Sequence, residues 1–160
     1  MTGISNGRLG MMLLVGTETV LFSCFIGAYL VLRGAAASWP PYGTPHLALD
    51  LSTVNTGVLL FSASQVWRHR LGTTFSFGAL FLALQALEFH RLYAQGLTLK
   101  TGPYGAIFYS LVACHGLHVI GGLSILAVAF RKEAWAEYAE LYWYFVTGVW
   151  LALYAILYIL

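Results

Sequence analysis

The sequence predicts an all-α membrane protein: a bundle of five transmembrane helices, N-terminus cytoplasmic and C-terminus on the periplasmic side. Three observations carry that prediction. Of the 160 residues 59% are hydrophobic and 9% charged, against about 25% charged in soluble domains, and a soluble domain this small has too little interior to hide so much apolar side chain. Apolar runs long enough to cross a bilayer recur along the chain, and mean hydropathy is +0.76. The few Lys and Arg residues sit in the connections between runs. With a net charge of +2 and no basic stripe, nucleic acid is excluded as a partner.

The first span covers about residues 10–32 and is interrupted only by Thr17, Glu18, Thr19, Ser23 and Cys24. It is too long for the apolar part of a signal peptide and is expected to stay in the mature protein. Arg33 ends it. The connection from Gly34 to Asp50 holds Trp39, Pro40, Pro41, Gly43 and Pro45, which break helix and suit the membrane interface. In the second span, about 51–67, Ser52, Asn55, Ser62 and Gln65 fall near one face, which should look inward. The turn Arg68-His69-Arg70 is so short that the third span, about 71–89, must run antiparallel beside it. The third span ends in Gln85 and Glu88, and Glu88 is expected to pair with Arg91 at the interface. The fourth span, 104–130, and the fifth, 138–160, complete a single integral membrane domain over residues 1–160 without internal repeat.

Orientation follows from the connections. Arg8, Arg68, Arg70, Arg131 and Lys132 lie on one side and Arg33, Arg91 and Lys100 on the other, which favours a cytoplasmic N-terminus. Cys24 and Cys114 fall inside apolar runs and read as small buried residues.

Few residues in the spans can carry chemistry. Glu18 lies roughly 12 Å into the first span, where a carboxylate costs about 2.5–3.5 kcal/mol unless paired or protonated. It is either a proton-linked group or a neutral, hydrogen-bonded acid that tightens packing. His115 and His118 stand mid-membrane in the fourth span, about 60° apart around the helix and looking toward one neighbour, with His118 at a depth that suits Glu18. A haem held by two histidines needs imidazoles on facing helices, and His90 sits at a span's end. Zinc or copper needs further converging ligands, so no metal site is expected. In the fifth span Trp143, Thr147, Trp150 and Tyr154 form one stripe, with Trp143 read as an anchor in the interfacial aromatic belt.

Six segments then carry a resemblance. GTETVLFSCFIGAYLVLR with Glu18, SWPP, VNTGVLL with Asn55 and Thr56, QALEFHRL with Glu88, PYGAIFYSLVACHGLHVIGG with both histidines, and Glu137 followed by YWYFVTGVWLALY occur in the order of subunit III of the haem-copper oxidases. The chain resembles the five-helix form of that family, without the two extra N-terminal helices of the longer form. Two positions depart from it: the family's closing motif has a His and, three residues later, an Asp, where this chain has Tyr144 and Thr147.

The resemblance implies an accessory subunit of a terminal oxidase in the bacterial-type cytoplasmic (inner) membrane, itself without cofactor. It implies direct contact with subunit I, which would hold the haem and copper and reduce oxygen while translocating protons, and a place beside subunit II and other respiratory-chain subunits. It also implies bound phospholipid, stabilisation of the catalytic subunit and support of proton uptake. Arg33, Trp39, Asn55, Glu88, Glu137, Trp143 and Trp150 are the residues through which lipid or subunit contact would run. Two rivals stand beside it: the equivalent subunit of a nitric-oxide reductase, and a small proton-coupled carrier using Glu18 and His118. Against the carrier, the sequence offers no broken helices and no second buried carboxylate. Either cytochrome c or quinol could be the electron donor, since that site lies on other subunits.

Overall fold

The computed structural model describes residues 5–45, 47 and 49–160. Among the described residues there are five long helices: α1 Asn6–Ala35, α2 Leu49–Trp67, α3 Leu71–Ala94, α4 Pro103–Ala129 and α5 Ala136–Tyr154. A 3-10 turn, Glu133–Trp135, precedes α5, and a π turn, Ala155–Ile159, closes it. Four of these segments are long and apolar enough to cross a membrane: α1, α3, α4 and the stretch Glu133–Ile159. α2 falls outside that set because Ser52, Thr53, Asn55, Thr56, Ser62, Ser64 and Gln65 dilute its apolar content.

Local chemistry fixes the ends. Ser5 caps α1, its hydroxyl accepting from the Arg8 amide at 3.3 Å. The α2–α3 turn closes on one carbonyl, Gln65 O, which accepts from the amides of Arg68 and Arg70, while His69 takes φ 53°. α3 runs a turn beyond the expected boundary at residue 89 because its C-terminus is a Schellman motif. Gly96 at φ 93° lets its amide reach Tyr93 O and the Leu97 amide reach Leu92 O, each at 3.0 Å, and Leu97 is fully buried. Gly102 and then Pro103 at the first helical position start α4.

α4 and α5 form the centre, α1 packs on one side of them, and the α2–α3 hairpin covers the other. The indole of Trp143 wedges between α3 and α4. A Cβ on Gly78 would lie 2.5 Å from its ring and one on Gly122 3.0 Å from it, so both glycines are needed for the close approach. Trp143 is 0% exposed. It is therefore a core residue and not the interfacial anchor expected from its position near the helix start.

The cysteines also depart from expectation. Cys24 is exposed on the outer face of α1 and Cys114 is half-buried. α1 is mostly apolar and meets the rest of the chain along a narrow strip marked by Phe22 and Tyr29, so most of its side chains face outward.

Candidate functional site

The centre of the bundle joins α1 to α4 through one polar contact. His118 Nε2 lies 2.9 Å from Glu18 Oε2, and its Nδ1 lies 2.8 Å from the carbonyl oxygen of Cys114. A carbonyl can only accept, so Nδ1 carries hydrogen and donates to it. The contact at Nε2 then needs one more proton between imidazole and carboxyl. The pair is either an acid donating to a neutral ring or an imidazolium donating to a carboxylate, with no net charge in both cases. Phe22 lies edge-on to the His118 ring at 4.9 Å between centroids. About a quarter of the Glu18 side chain remains exposed.

His115 behaves differently, which corrects the expectation that both imidazoles look toward one neighbour. It is 1% exposed and packs at 5.1 Å on Trp150, with Phe81 edge-on at 5.9 Å. Neither of its ring nitrogens has a hydrogen-bond partner among the described residues. Among the described aromatic rings, Phe22 is the one that neighbours both, at 6.3 Å from His115 and 4.9 Å from His118.

A second polar cluster ties α2 to α3. The Ser52 hydroxyl donates to Glu88 Oε1, the Gln85 amide donates to Glu88 Oε2 at 2.8 Å, and Asn55 Nδ2 donates to Gln85 Oε1 at 3.1 Å. Glu88 is 2% exposed. This overturns two expectations: Glu88 does not pair with Arg91, and the bundle does hold a second buried carboxylate. α5 joins the same seam, since Trp150 Nε1 donates to Thr56 Oγ1 at 2.9 Å and Tyr154 meets Thr53 hydroxyl to hydroxyl at 2.7 Å.

Of the residues assigned to lipid or subunit contact, Asn55, Glu88, Trp143 and Trp150 are buried inside the chain and serve its own packing. Arg33, Trp39 and Glu137 remain at the surface. The Arg33 guanidinium donates to the main-chain oxygen of Leu160, Trp39 Nε1 donates to the Tyr29 hydroxyl at 2.9 Å, and Glu137 pairs with Arg8 at 3.2 Å. At the two departing positions, Tyr144 points outward and the Thr147 hydroxyl donates to Trp143 O at 2.9 Å within its own helix. Neither supplies an ionisable partner to the Glu18–His118 pair. Among the described residues no three His, Cys, Asp or Glu side chains converge as a metal-binding set.

The Glu88 cluster was missed, although its signal was present. Ser52 and Asn55 share a face of α2, Gln85 and Glu88 share a face of α3, and the turn between the helices sets them opposite one another.

Comparison with known proteins covers nearly the whole chain. Residues 2–160 match the family described as cytochrome c oxidase subunit III. The chain is similar to cytochrome c oxidase subunit 3 of Synechocystis sp., 35% identical over 176 aligned positions that cover 94% of this chain and 74% of that protein. For the proteins of the same name from Thermostichus vulcanus and Bacillus subtilis the identities are 34% and 33%, covering 95% and 97% of this chain and 86% of each relative. This bundle of long apolar helices, matched over residues 2–160 by the family and over 94–97% of its length by those relatives, thus belongs to the cytochrome c oxidase subunit III family.

Proposed function

We propose that this chain is the accessory, cofactor-free subunit of a proton-translocating terminal oxygen reductase in the cytoplasmic membrane, bracing the catalytic subunit that holds haem and copper. The observation that carries the reading is the use made of polar groups inside the bundle. Glu18–His118, Ser52–Glu88, Asn55–Gln85 and Trp150–Thr56 each join two different helices. Polar side chains that clamp helices together serve a rigid scaffold. α1 then offers its outward apolar face to subunit I or to lipid.

α2 is read as the fifth span. Its polar face is buried against α3 while Val54, Leu60 and Phe61 point outward, the inside-out pattern of a helix in hydrocarbon. The lipid reading is supported by a groove of about 320 Å³ between α1 and α5, lined by Phe22, Ile26, Phe145 and Val149, which has room for a segment of one acyl chain. Arg33 stands seven residues beyond Ile26 on the same face of α1, placed for a headgroup phosphate.

Purification in mild detergent tests the scaffold reading. The chain should come down with a haem-bearing partner, and once separated it should show no Soret band and no stoichiometric copper. A haem spectrum from the separated chain would overturn the reading, as would a preparation in which no redox subunit accompanies it. Sidedness has its own test: single cysteines at Arg70 and Ala134 should resist an impermeant thiol reagent added outside, whereas those at Gly43 and Gly96 should react. The opposite pattern would reverse the orientation.

A further inference from the structure

The connection between α3 and α4 is built more firmly than a linker requires. The Thr98 amide donates to Thr101 Oγ1 at 2.7 Å, the Thr101 hydroxyl donates to Gly96 O at 3.2 Å, and the Tyr109 hydroxyl of α4 donates to Leu97 O at 2.8 Å. Leu97 is buried, and Gly105 in the first turn of α4 leaves no room for a Cβ beside Thr98 O. A loop held at so many points loses little freedom when a ligand settles on it.

The side chains it presents are unlike those of a solvated loop. Leu99 is 63% exposed, and Tyr93, on the last turn of α3, is 66% exposed. With Thr98, Lys100 and Tyr109 they line a cavity of about 350 Å³, within the range of about 300–1,000 Å³ usual for small-ligand sites. Lys100 is the charged group of that lining. All six acidic residues of the chain are among those described, and neither ion pair found there includes Lys100.

These features select a class of ligand. A bare anion would meet the ammonium and leave Leu99 and the ring faces wet, and a purely apolar chain would do the reverse. A molecule with both parts satisfies both. The cavity lies where two helices of membrane-spanning length and hydropathy end and begin, the level at which lipid phosphates stand. Its lining includes no carboxylate to receive an ammonium headgroup, so a lipid whose head carries only the phosphate charge is favoured over a zwitterionic one.

We propose that the α3–α4 connection is a binding site for an anionic phospholipid. The phosphate accepts from Lys100 Nζ and the Tyr93 hydroxyl, while the glycerol and first methylenes lie against Leu99 and the rings of Tyr93 and Tyr109. The Tyr109 hydroxyl is committed to Leu97 O, so Tyr109 serves as wall and not as donor. The site shares no lining residue with the α1–α5 groove, and it requires only that α3 and α4 cross a bilayer, whichever catalytic subunit accompanies them.

The test is lipid uptake by the chain with its accompanying subunits, purified in mild detergent, stripped of loosely held lipid and titrated with phosphatidylglycerol. Native mass spectrometry counts the lipid bound. Wild type should hold one more phosphatidylglycerol tightly than Lys100→Gln, and Leu99→Ser should weaken that same equivalent several-fold. Both side chains are exposed, so thermal unfolding of the variants should match wild type. Inorganic phosphate at the same concentration should not displace the lipid, and phosphatidylcholine should replace it several-fold less well. Equal uptake by wild type and Lys100→Gln overturns the site, as it would if a partner subunit covered the loop. Displacement by inorganic phosphate, with no effect of Leu99→Ser, makes it an ion site and overturns the lipid. Equal retention of phosphatidylcholine overturns the choice of headgroup.

Discussion

Glu18 and Glu88 are two acids in one bundle, and they are held in opposite ways. Glu18 projects from a helix that is mostly exposed, keeps a single polar partner and remains partly accessible. Glu88 lies inside a hairpin, has two donors and is sealed. The difference follows from helix packing. α2 and α3 are forced together by a three-residue turn and can surround a side chain, whereas α1 returns to the bundle only after a long connection and touches it along one strip. One acid is thus part of a helix pair, and the other is the latch by which a peripheral helix is held.

The largest expected effect tests the sealed acid. Glu88→Leu takes the acceptor from the Gln85 amide, leaving a buried donor unpaired at about 1–3 kcal/mol, and removes the Ser52 bond that ties α2 to the same carboxyl inside a sealed helix pair. Thermal unfolding in detergent should fall further for this variant than for any change at Glu18. Equal losses at the two sites would erase the contrast. Glu18→Leu comes next, with one imidazole nitrogen left unpaired at about 1–3 kcal/mol. Its signature should be local: α1 becomes sensitive to protease or exchange while the α2–α3 hairpin keeps its protection.

A smaller effect is expected at His115. Its nitrogens form no hydrogen bond with the described residues, and its surroundings are Trp150, Phe81 and Phe22. Replacing an unpaired polar ring by an apolar ring of similar shape is close to neutral or stabilising. His115→Phe should therefore unfold within about 0.5 kcal/mol of wild type or above it. A loss comparable to Glu18→Leu would mean that His115 has a partner in the assembled protein.

Much of this contrast was legible in the residues. Five helices follow from apolar runs and breakers, and Glu18–His118 follows from matched depth on two spans. The Glu88 cluster was equally available: Ser52 and Glu88 both lie 18 residues from Arg70, and Asn55 and Gln85 both lie 15 from it, so an antiparallel hairpin centred there brings each pair together. It was overlooked because Arg91, one turn away, offered a simpler interfacial partner. Trp143 was misplaced for another reason. Its burial depends on Gly78 and Gly122 clearing space on two other helices, and only the tertiary packing shows that both gaps face the same indole. The C-terminal extension of α3 was written in Gly96 and the apolar Leu97 after it, a capping signal that a count of apolar residues ignores.

The smallest expected effect is the most informative about Glu18. With His118 Nδ1 committed to the Cys114 carbonyl, Nε2 of a neutral ring is an acceptor, and the side-chain amide of Gln at position 18 can donate to it as a protonated carboxyl would. If Glu18 is a latch, Glu18→Gln preserves the bond, the chain stays bound to its partner, and turnover with proton release in reconstituted vesicles matches wild type. A carboxyl that passes protons onward behaves differently, because an amide cannot give up a proton and regain it near neutral pH. In that case Glu18→Gln would remain fully assembled and still lose proton pumping, and Glu18→Leu would lose both. Measuring retention and proton release on the same vesicles separates the two roles: pumping lost at full retention would make Glu18 a working group and leave Glu88 as the structural acid.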